Sequence, residues 1–250
     1  MQSPLANKVI LITGSARRVG AAAARSLHAA GADVMLHYRR AASEAARLCE
    51  ELNSARPKSA ALAQADLLDP QQLEQLAAAP VRTFGRLDVL INNASSFFPT
   101  PFGSITLAQW DDLIGTNLRA PMFLAQATGS DLRASGGCIV NITDIHADRP
   151  LERYSVYSVA KAGLTGLTRA LAVEMAPQVR VNGIAPGPIL WPEQDPVFDT
   201  LERARVIGQT LLARVGSPED IARTALFLIA EAPYVTGQIF TIDGGRSVAL

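Results

Sequence analysis

The sequence predicts an α/β protein, a doubly wound seven-stranded parallel sheet with helices on both faces. Three observations carry this. Short apolar runs alternate along the chain with longer stretches of helical period. The runs are continuous in hydrophobicity, as strands covered on both faces should be. No low-complexity linker interrupts the 250 residues, so a single domain is expected over 1–250. Taken in order, the strands are expected at residues 9–13, 33–38, 60–65, 89–92, 139–142, 180–184 and 239–242. The helices between them are expected at 20–30, 42–54, 70–79, 107–134, 154–176, 201–212 and 218–230. Ser217 followed by Pro218 suits the last of these, since Ser caps orphan amides and Pro is favoured at the first helical position.

Composition excludes several function classes. Lys+Arg and Asp+Glu are 23 each, so no global basic field draws the chain to nucleic acid or an anionic membrane. Cys49 and Cys138 make neither a disulfide framework nor a metal-ligand cluster, and no metal is expected. The apolar runs are too short to span a bilayer, and no basic segment leads into an apolar one at the start. A cytoplasmic protein is expected.

The first strand runs into Thr13-Gly14-Ser15-Ala16-Arg17-Arg18-Val19-Gly20 and an Ala-rich helix. Gly14 permits a tight turn, Gly20 permits close approach, and the helix N-terminus offers unpaired amides to an anion. This is the Rossmann arrangement for a dinucleotide. Arg18 stands where a middle glycine is usual, and its planar fork suits phosphate oxygens. About 20 residues later an NAD site carries a carboxylate for the ribose. Here His37-Tyr38-Arg39-Arg40 stand instead, two cations at the start of a helix whose dipole disfavours them. A bound 2′-phosphate resolves that conflict, which points to NADPH/NADP+. Asp66, ending the third strand, is positioned to accept from an adenine amino group.

Tyr157 and Lys161 lie four apart on an expected helix, so phenol and ammonium share a face. A unit cation about 4 Å away at an effective dielectric near 20 stabilises a phenolate by roughly 4 kcal/mol. The expectation is a Tyr157 pKa brought down by as much as ~3 units from its ordinary value near 10, making the residue a proton donor at working pH.

The turn 13–20, Asn92-Asn93-Ala94-Ser95, Asn117 in a helix, the segment Asn141 to Asp144, the Tyr157–Lys161 pair, Pro186-Gly187, Thr236-Gly237 and Asp243-Gly244-Gly245 occur in order. Their spacing resembles that of the short-chain dehydrogenase/reductases. The resemblance implies that Tyr157 donates the proton, that Lys161 binds the ribose and that Asn117 holds a water linked to Lys161. It also implies cofactor contacts from Gly14, Arg18, Val19, Gly20, His37, Tyr38, Arg39, Arg40, Asp66, Leu67, Asn93, Ala94, Ser95, Tyr157, Lys161, Pro186 and Gly187.

One position departs from that family. Asp144 stands where most members carry a serine that polarises a ketone. A carboxylate beside Tyr157 opposes loss of the phenol proton, but it serves as a relay where a ring nitrogen must be protonated, as C=N reduction requires. Together with Arg18, the 37–40 segment, Asn92 to Pro101 and Pro186 to Glu193, this set is similar to the pteridine reductases. That resemblance implies NADPH-dependent reduction of a pterin or folate. Phe97 would cover one pterin face, Ser95 and Arg18 would reach its polar edge, Asp144 and Tyr157 would supply the proton, and Trp191 would close the mouth. Substrate loops are expected near 95–103 and 186–200. It further implies a homotetramer paired through the helices at 107–134 and 154–176, with Leu164, Leu167, Leu171 and Val173 as apolar surplus. A 3-oxoacyl-type carbonyl reductase is the alternative, and it would need a serine at 144. A non-catalytic NADP(H) sensor is disfavoured by the intact Asn117, Tyr157 and Lys161.

Overall fold

The structure is a computed structural model and describes residues 3–191 and 199–249. Its seven strands are β1 (Val9–Ile12), β2 (Asp33–Tyr38), β3 (Ala60–Gln64), β4 (Val89–Asn92), β5 (Cys138–Ile142), β6 (Arg180–Pro186) and β7 (Ile239–Ile242). They form one parallel sheet in the order β3-β2-β1-β4-β5-β6-β7. The order reverses between β1 and β4, which opens a crevice beyond the strand carboxyl ends.

Alternate residues of each strand feed opposite faces, as the two-residue period demands. Ile10, Ile12, Val34 and Leu36 pack under α1 (Arg18–Ala29), α2 (Ala42–Ala55) and α9 (Pro218–Ala230). Leu11, Met35, Leu90, Ile139 and Val181 pack under α3 (Pro70–Phe84), α5 (Ala120–Ala127) and α7 (Ser155–Glu174). The alanines of α1 and α9 (Ala21, Ala24, Ala222, Ala225) are buried together, so these two helices approach closely. Around residues 217–220, the Asp220 carboxylate accepts from the Ser217 backbone N–H at 2.9 Å, closing the cap box before Pro218.

Four helix expectations change. The stretch 70–79 runs on through Pro80 to Phe84 as α3 and stops at Gly85, left-handed at φ +82°. The stretch 107–134 is divided into α4 (Leu107–Ile114), a π-turn (Gly115–Arg119), α5 and α6 (Gly129–Ser135). The Asn117 amide donates to Leu113 O and to Ser96 O in the neighbouring loop, and widening the turn brings both within reach; such bulges recur at functional sites. At Thr128 the hydroxyl donates back to Leu124 O at 2.7 Å and the backbone leaves the helix path. The stretch 201–212 narrows to α8 (Thr200–Gly208), because residues 210–213 turn back and Ala213 adopts φ +51°. The helix expected from residue 154 begins at Ser155, since Tyr154 pairs with Thr100 in a short parallel bridge. No helix among the described residues is long and apolar enough to cross a membrane.

Candidate active site

At the β1–α1 turn Gly14 has φ +63°, and a Cβ there would lie 2.9 Å from Ala94 Cα. A Cβ on Gly20 would lie 2.6 Å from Asn93 Nδ2. Both glycines are therefore fixed by close approach of the β4 exit. Asn93 Nδ2 donates to Thr13 O and Gly14 O at 2.9 and 3.0 Å, and Thr13 Oγ1 accepts from the Asn93 and Ala94 amides. The side chain of Asn93 thus builds the turn. His37 is buried and does the same from the other side. Its Nδ1 accepts from Gly14 N–H at 3.0 Å and its Nε2 lies 3.1 Å from Ala65 O. That pairing requires the Nε2–H tautomer. Burial holds the imidazole below its ordinary range, outweighing the Ala65 bond and the Asp66 charge, so the ring is neutral. Both ring nitrogens are bonded to backbone, so His37, which lines the cleft, also shapes the turn.

Arg18 is also bonded to backbone. It occupies the left-handed region at φ +54°, a conformation in which a non-glycine residue is uncommon. Its guanidinium donates to Leu190 O and Trp191 O at 3.0 and 3.1 Å. Both terminal nitrogens therefore bind the segment after β6, and Arg18 lines the cleft. Asp66 is likewise committed. Its Oδ2 pairs with Arg39 at 2.8 Å and its Oδ1 accepts from Leu68 N–H. Opposite charges at the ends of adjacent strands find each other, and Asp66 lines the cleft with its carboxylate paired to Arg39. Arg40 is exposed beside the pair. The N-terminal turn of α1 contains no acid, and these groups together fit a dinucleotide carrying a 2′-phosphate.

Beyond β5 the catalytic candidates converge. Tyr157 Oη donates to Asp144 Oδ2 at 2.7 Å, while Asp144 Oδ1 accepts from His146 N–H at 2.8 Å. Lys161, 2% exposed, donates to Ile142 O at 2.9 Å, and its Nζ stands 5.7 Å from the Tyr157 ring centroid. The expected lowering of the Tyr157 pKa is reversed. Burial raises it well above its ordinary value, the Asp144 charge and hydrogen bond add to the rise, and the Ser95 hydroxyl only partly opposes them. The nearest charge is the carboxylate, and the ammonium is turned to a backbone carbonyl. Burial also pulls Lys161 down to about 8, against the opposing charge of Asp144.

Asn117 is the one expected site residue that does not line the cleft. Its Oδ1 accepts from Ser95 Oγ at 2.6 Å and its amide is bound to Ser96 O and Leu113 O. It holds the 95–97 segment, and no direct bond joins it to Lys161. Phe97 stacks on Tyr154 at 4.5 Å and meets Tyr157 edge-on at 4.8 Å. An aromatic wall results, backed by a buried tyrosine that the sequence offers no way to single out. Trp191 lies under the Arg203 guanidinium of α8 at 5.4 Å. The remaining part of the expected 186–200 loop, residues 192–198 including Pro192 and Glu193, lies outside the described residues.

A cleft of about 770 Å³ joins these groups. Val19, Tyr38, Leu67, Ala94, Ser95, Pro186 and Gly187 line it together with Asp144, Tyr157 and Lys161. His146, next to Asp144 in sequence, lines it too, and sequence reading missed Glu202, Val206 and Arg246, which line it from α8 and the segment after β7. Away from the cleft, His28 is buried with Nε2 2.6 Å from Ser59 Oγ.

Residues 14–247 match the family model described as Enoyl-(Acyl carrier protein) reductase. The chain is 37% identical to Pteridine reductase 1 of Leishmania tarentolae, with 96% of each chain covered. It is 34% identical to the 3-oxoacyl-[acyl-carrier-protein] reductase FabG of Staphylococcus aureus, covering 95% of this chain and 97% of that one. Among solved structures it is similar to a blue fluorescent protein from a metagenomic library in complex with NADPH, at 33% identity and a TM-score of 0.90 over 97% of this chain and 99% of that one. A glycine turn built by Asn93 and His37, a buried Tyr157–Lys161 helix and these matches lead to one assignment: the chain belongs to the short-chain dehydrogenase/reductase family.

Proposed function

We propose that the protein is an NADPH-dependent pteridine reductase that reduces a C=N bond of a pterin or dihydropterin, folate-type rings included, to the tetrahydro level. The observation that carries this reading is the 2.7 Å hydrogen bond from Tyr157 Oη to the Asp144 carboxylate. A ketone reductase stabilises charge developing on the carbonyl oxygen with hydroxyl donors. A carboxylate in that place repels such charge. Beside a ring nitrogen that must gain a proton, the same carboxylate is useful, because it orients the phenol and shares its proton.

Bound NADPH supplies the hydride. Gly14, Gly20 and the α1 amides would hold its pyrophosphate, and Arg39 and Arg40 its 2′-phosphate, with Arg39 exchanging its bond to Asp66. Tyr157 stays protonated at neutral pH because burial and Asp144 keep its pKa high. Lys161 is fixed by Ile142 O below the phenol, where its ammonium would meet ribose hydroxyls. Phe97, backed by Tyr154, offers a flat wall suited to a heterocycle.

Carbonyl reduction of a 3-oxoacyl thioester is the second reading, favoured by the likeness to the S. aureus reductase. The two separate in one experiment. NADPH oxidation is followed in parallel with dihydrobiopterin, dihydromonapterin, dihydrofolate and an acetoacetyl thioester. Turnover of at least one dihydropterin or of dihydrofolate well above that of the thioester is expected, and turnover of the thioester alone overturns the proposal. We further propose a homotetramer paired through α4, α5 and α7. The apolar surplus that supports it is Val159 and Val173 on α7 with Met122 and Phe123 on α5, all exposed. Of the leucines expected to contribute, Leu164 is buried, Leu171 belongs to the core under the sheet, and Leu167 packs partly against that core.

A further inference from the structure

Arg246 follows the tight turn after β7 and is only 7% exposed. The turn is rigid: the Asp243 carboxylate accepts from the Gly245 and Ser247 amides at 2.8 and 2.7 Å. One guanidinium nitrogen of Arg246 donates to Val206 O at 3.0 Å, near the end of α8. A guanidinium carries five N–H donors, and the nitrogens of Arg246 that Val206 does not engage are not among the buried unpartnered atoms, so they remain open to a partner from the cleft. The charges of Glu202 and Asp243 are felt by Arg246, but neither acid bonds to it. Asp243 is spent on backbone amides, and both oxygens of Glu202 are held by Arg205 at 2.8 and 2.7 Å. Arg246 forms no ion pair among the described residues. Its side chain nevertheless lines the cleft that contains Asp144, Tyr157 and Lys161.

Strand order says which bound molecule it faces. The 2′-phosphate end of a dinucleotide belongs at β2 and its pyrophosphate at β1, and the reacting groups stand after β5. Arg246 lies past β7, on the far side of the reacting groups from the cofactor's adenine end. What reaches it is the part of the substrate that extends beyond the reduced ring. We infer that Arg246 is a specificity-determining residue that binds an anionic group, a carboxylate or a phosphate, on the side chain of the substrate. This rests on the pteridine reading for the ring itself and adds the chemistry of its tail.

The test compares, with saturating NADPH, dihydrofolate (carboxylate tail), dihydroneopterin monophosphate (phosphate tail) and dihydrobiopterin (uncharged tail). Wild type, Arg246→Met and Arg246→Lys are assayed, with thermal melting of each to establish folding. In Arg246→Met, the KM of at least one anionic substrate relative to that of dihydrobiopterin should rise about tenfold or more, the scale of a lost charge-assisted hydrogen bond. Arg246→Lys should restore part of it. The substrate affected, dihydrofolate or the phosphate, identifies the anion. A ratio unchanged for both anionic substrates overturns the inference, because a residue that merely ties the tail to α8 would move all KM values together. Should the wild type reduce only the thioester, the pteridine reading fails, and the anion site is read without turnover. Calorimetric titration of the NADP+-loaded enzyme with 4-aminobenzoylglutamate and with inorganic phosphate then decides. Binding of either that Arg246→Met loses sustains the site, and binding of neither, or equal binding by both proteins, overturns it.

Discussion

Asp88 and Asp144 stand at opposite ends of neighbouring strands, one just before β4 and the other just after β5. Asp88, with a side chain 1% exposed, is surrounded by donors. Lys8 reaches one oxygen at 2.9 Å, Arg86 binds both at 2.7 Å, and the Val9 amide reaches the second at 3.0 Å. Asp144 is half-buried and is met by a phenol and one amide, with no cation bonded to it among the described residues. A carboxylate satisfied by two cations is fixed in its ionised form and can only hold structure. A carboxylate whose partner is a hydroxyl shares a proton with it, and that proton can move to a third group. Polar satisfaction at the amino end and its incompleteness at the carboxyl end divide the sheet into an anchor and a reaction edge.

The sharpest way to break this division is at the phenol. Tyr157→Phe should lower kcat for pterin reduction by about 10³-fold or more, within the range for a positioned general acid, while the melting temperature stays close to wild type. Asp144→Ser should lower kcat by at least about 10²-fold. A smaller loss would reduce Asp144 to a cap of the 145–147 turn. Lys161 sharpens the comparison through pH. Its pKa near 8 means that the ammonium is lost as pH rises through that value, whereas Tyr157, held well above 10, remains protonated. The value of kcat/KM for NADPH, which reports the free enzyme, should therefore fall on an alkaline limb near pH 8. Lys161→Arg should move that limb upward, and a limb unmoved by the substitution would assign it to another group.

How much of this was legible before folding differs between the two ends. The strands and their alternation with helices were readable because both signals are local in sequence. So were the turn glycines and the Tyr157–Lys161 pair, which spacing brings to notice, whereas the rest of the expected cleft lining rests on the family resemblance. What escaped was the partner each group takes when elements meet. Arg39 and Asp66 come from different strands, so their ion pair appears only in the register of β2 with β3. His37 reads as a cofactor ligand by position, but its bonds to two backbone groups, which make it brace the turn, are not legible in sequence. The Tyr157 shift was assigned to the nearest cation along the helix. In space the Asp144 oxygen is closer, and desolvation outweighs both. Arg246 had a faint signal, a cation in a Gly-rich segment next to the final strand, but its approach to α8 is a tertiary fact.

The smallest expected effect tests the anchor end. Asp88→Asn removes a charge that Arg86 and Lys8 share. Those two side chains are 45% and 40% exposed, so water takes over part of their solvation, and the loss is about 2 kcal/mol, below the usual cost of breaking a fully buried pair. For a chain of this size that lowers Tm by roughly 4–8 °C. Burial alone would push the Asp88 carboxyl up, but the bonds from Arg86, Lys8 and the Val9 amide more than offset it and hold it below its ordinary value. A depressed carboxylate contributes stability above its unfolded pKa and loses it as pH falls through the folded one. The difference in Tm between wild type and Asp88→Asn should thus be full at pH 7 and shrink steadily below about pH 4. Asp144→Ser, melted alongside, should fall by less than Asp88→Asn at pH 7. If it falls by more, the carboxylate beside Tyr157 is as structural as its counterpart, and the contrast between the two ends of the sheet fails.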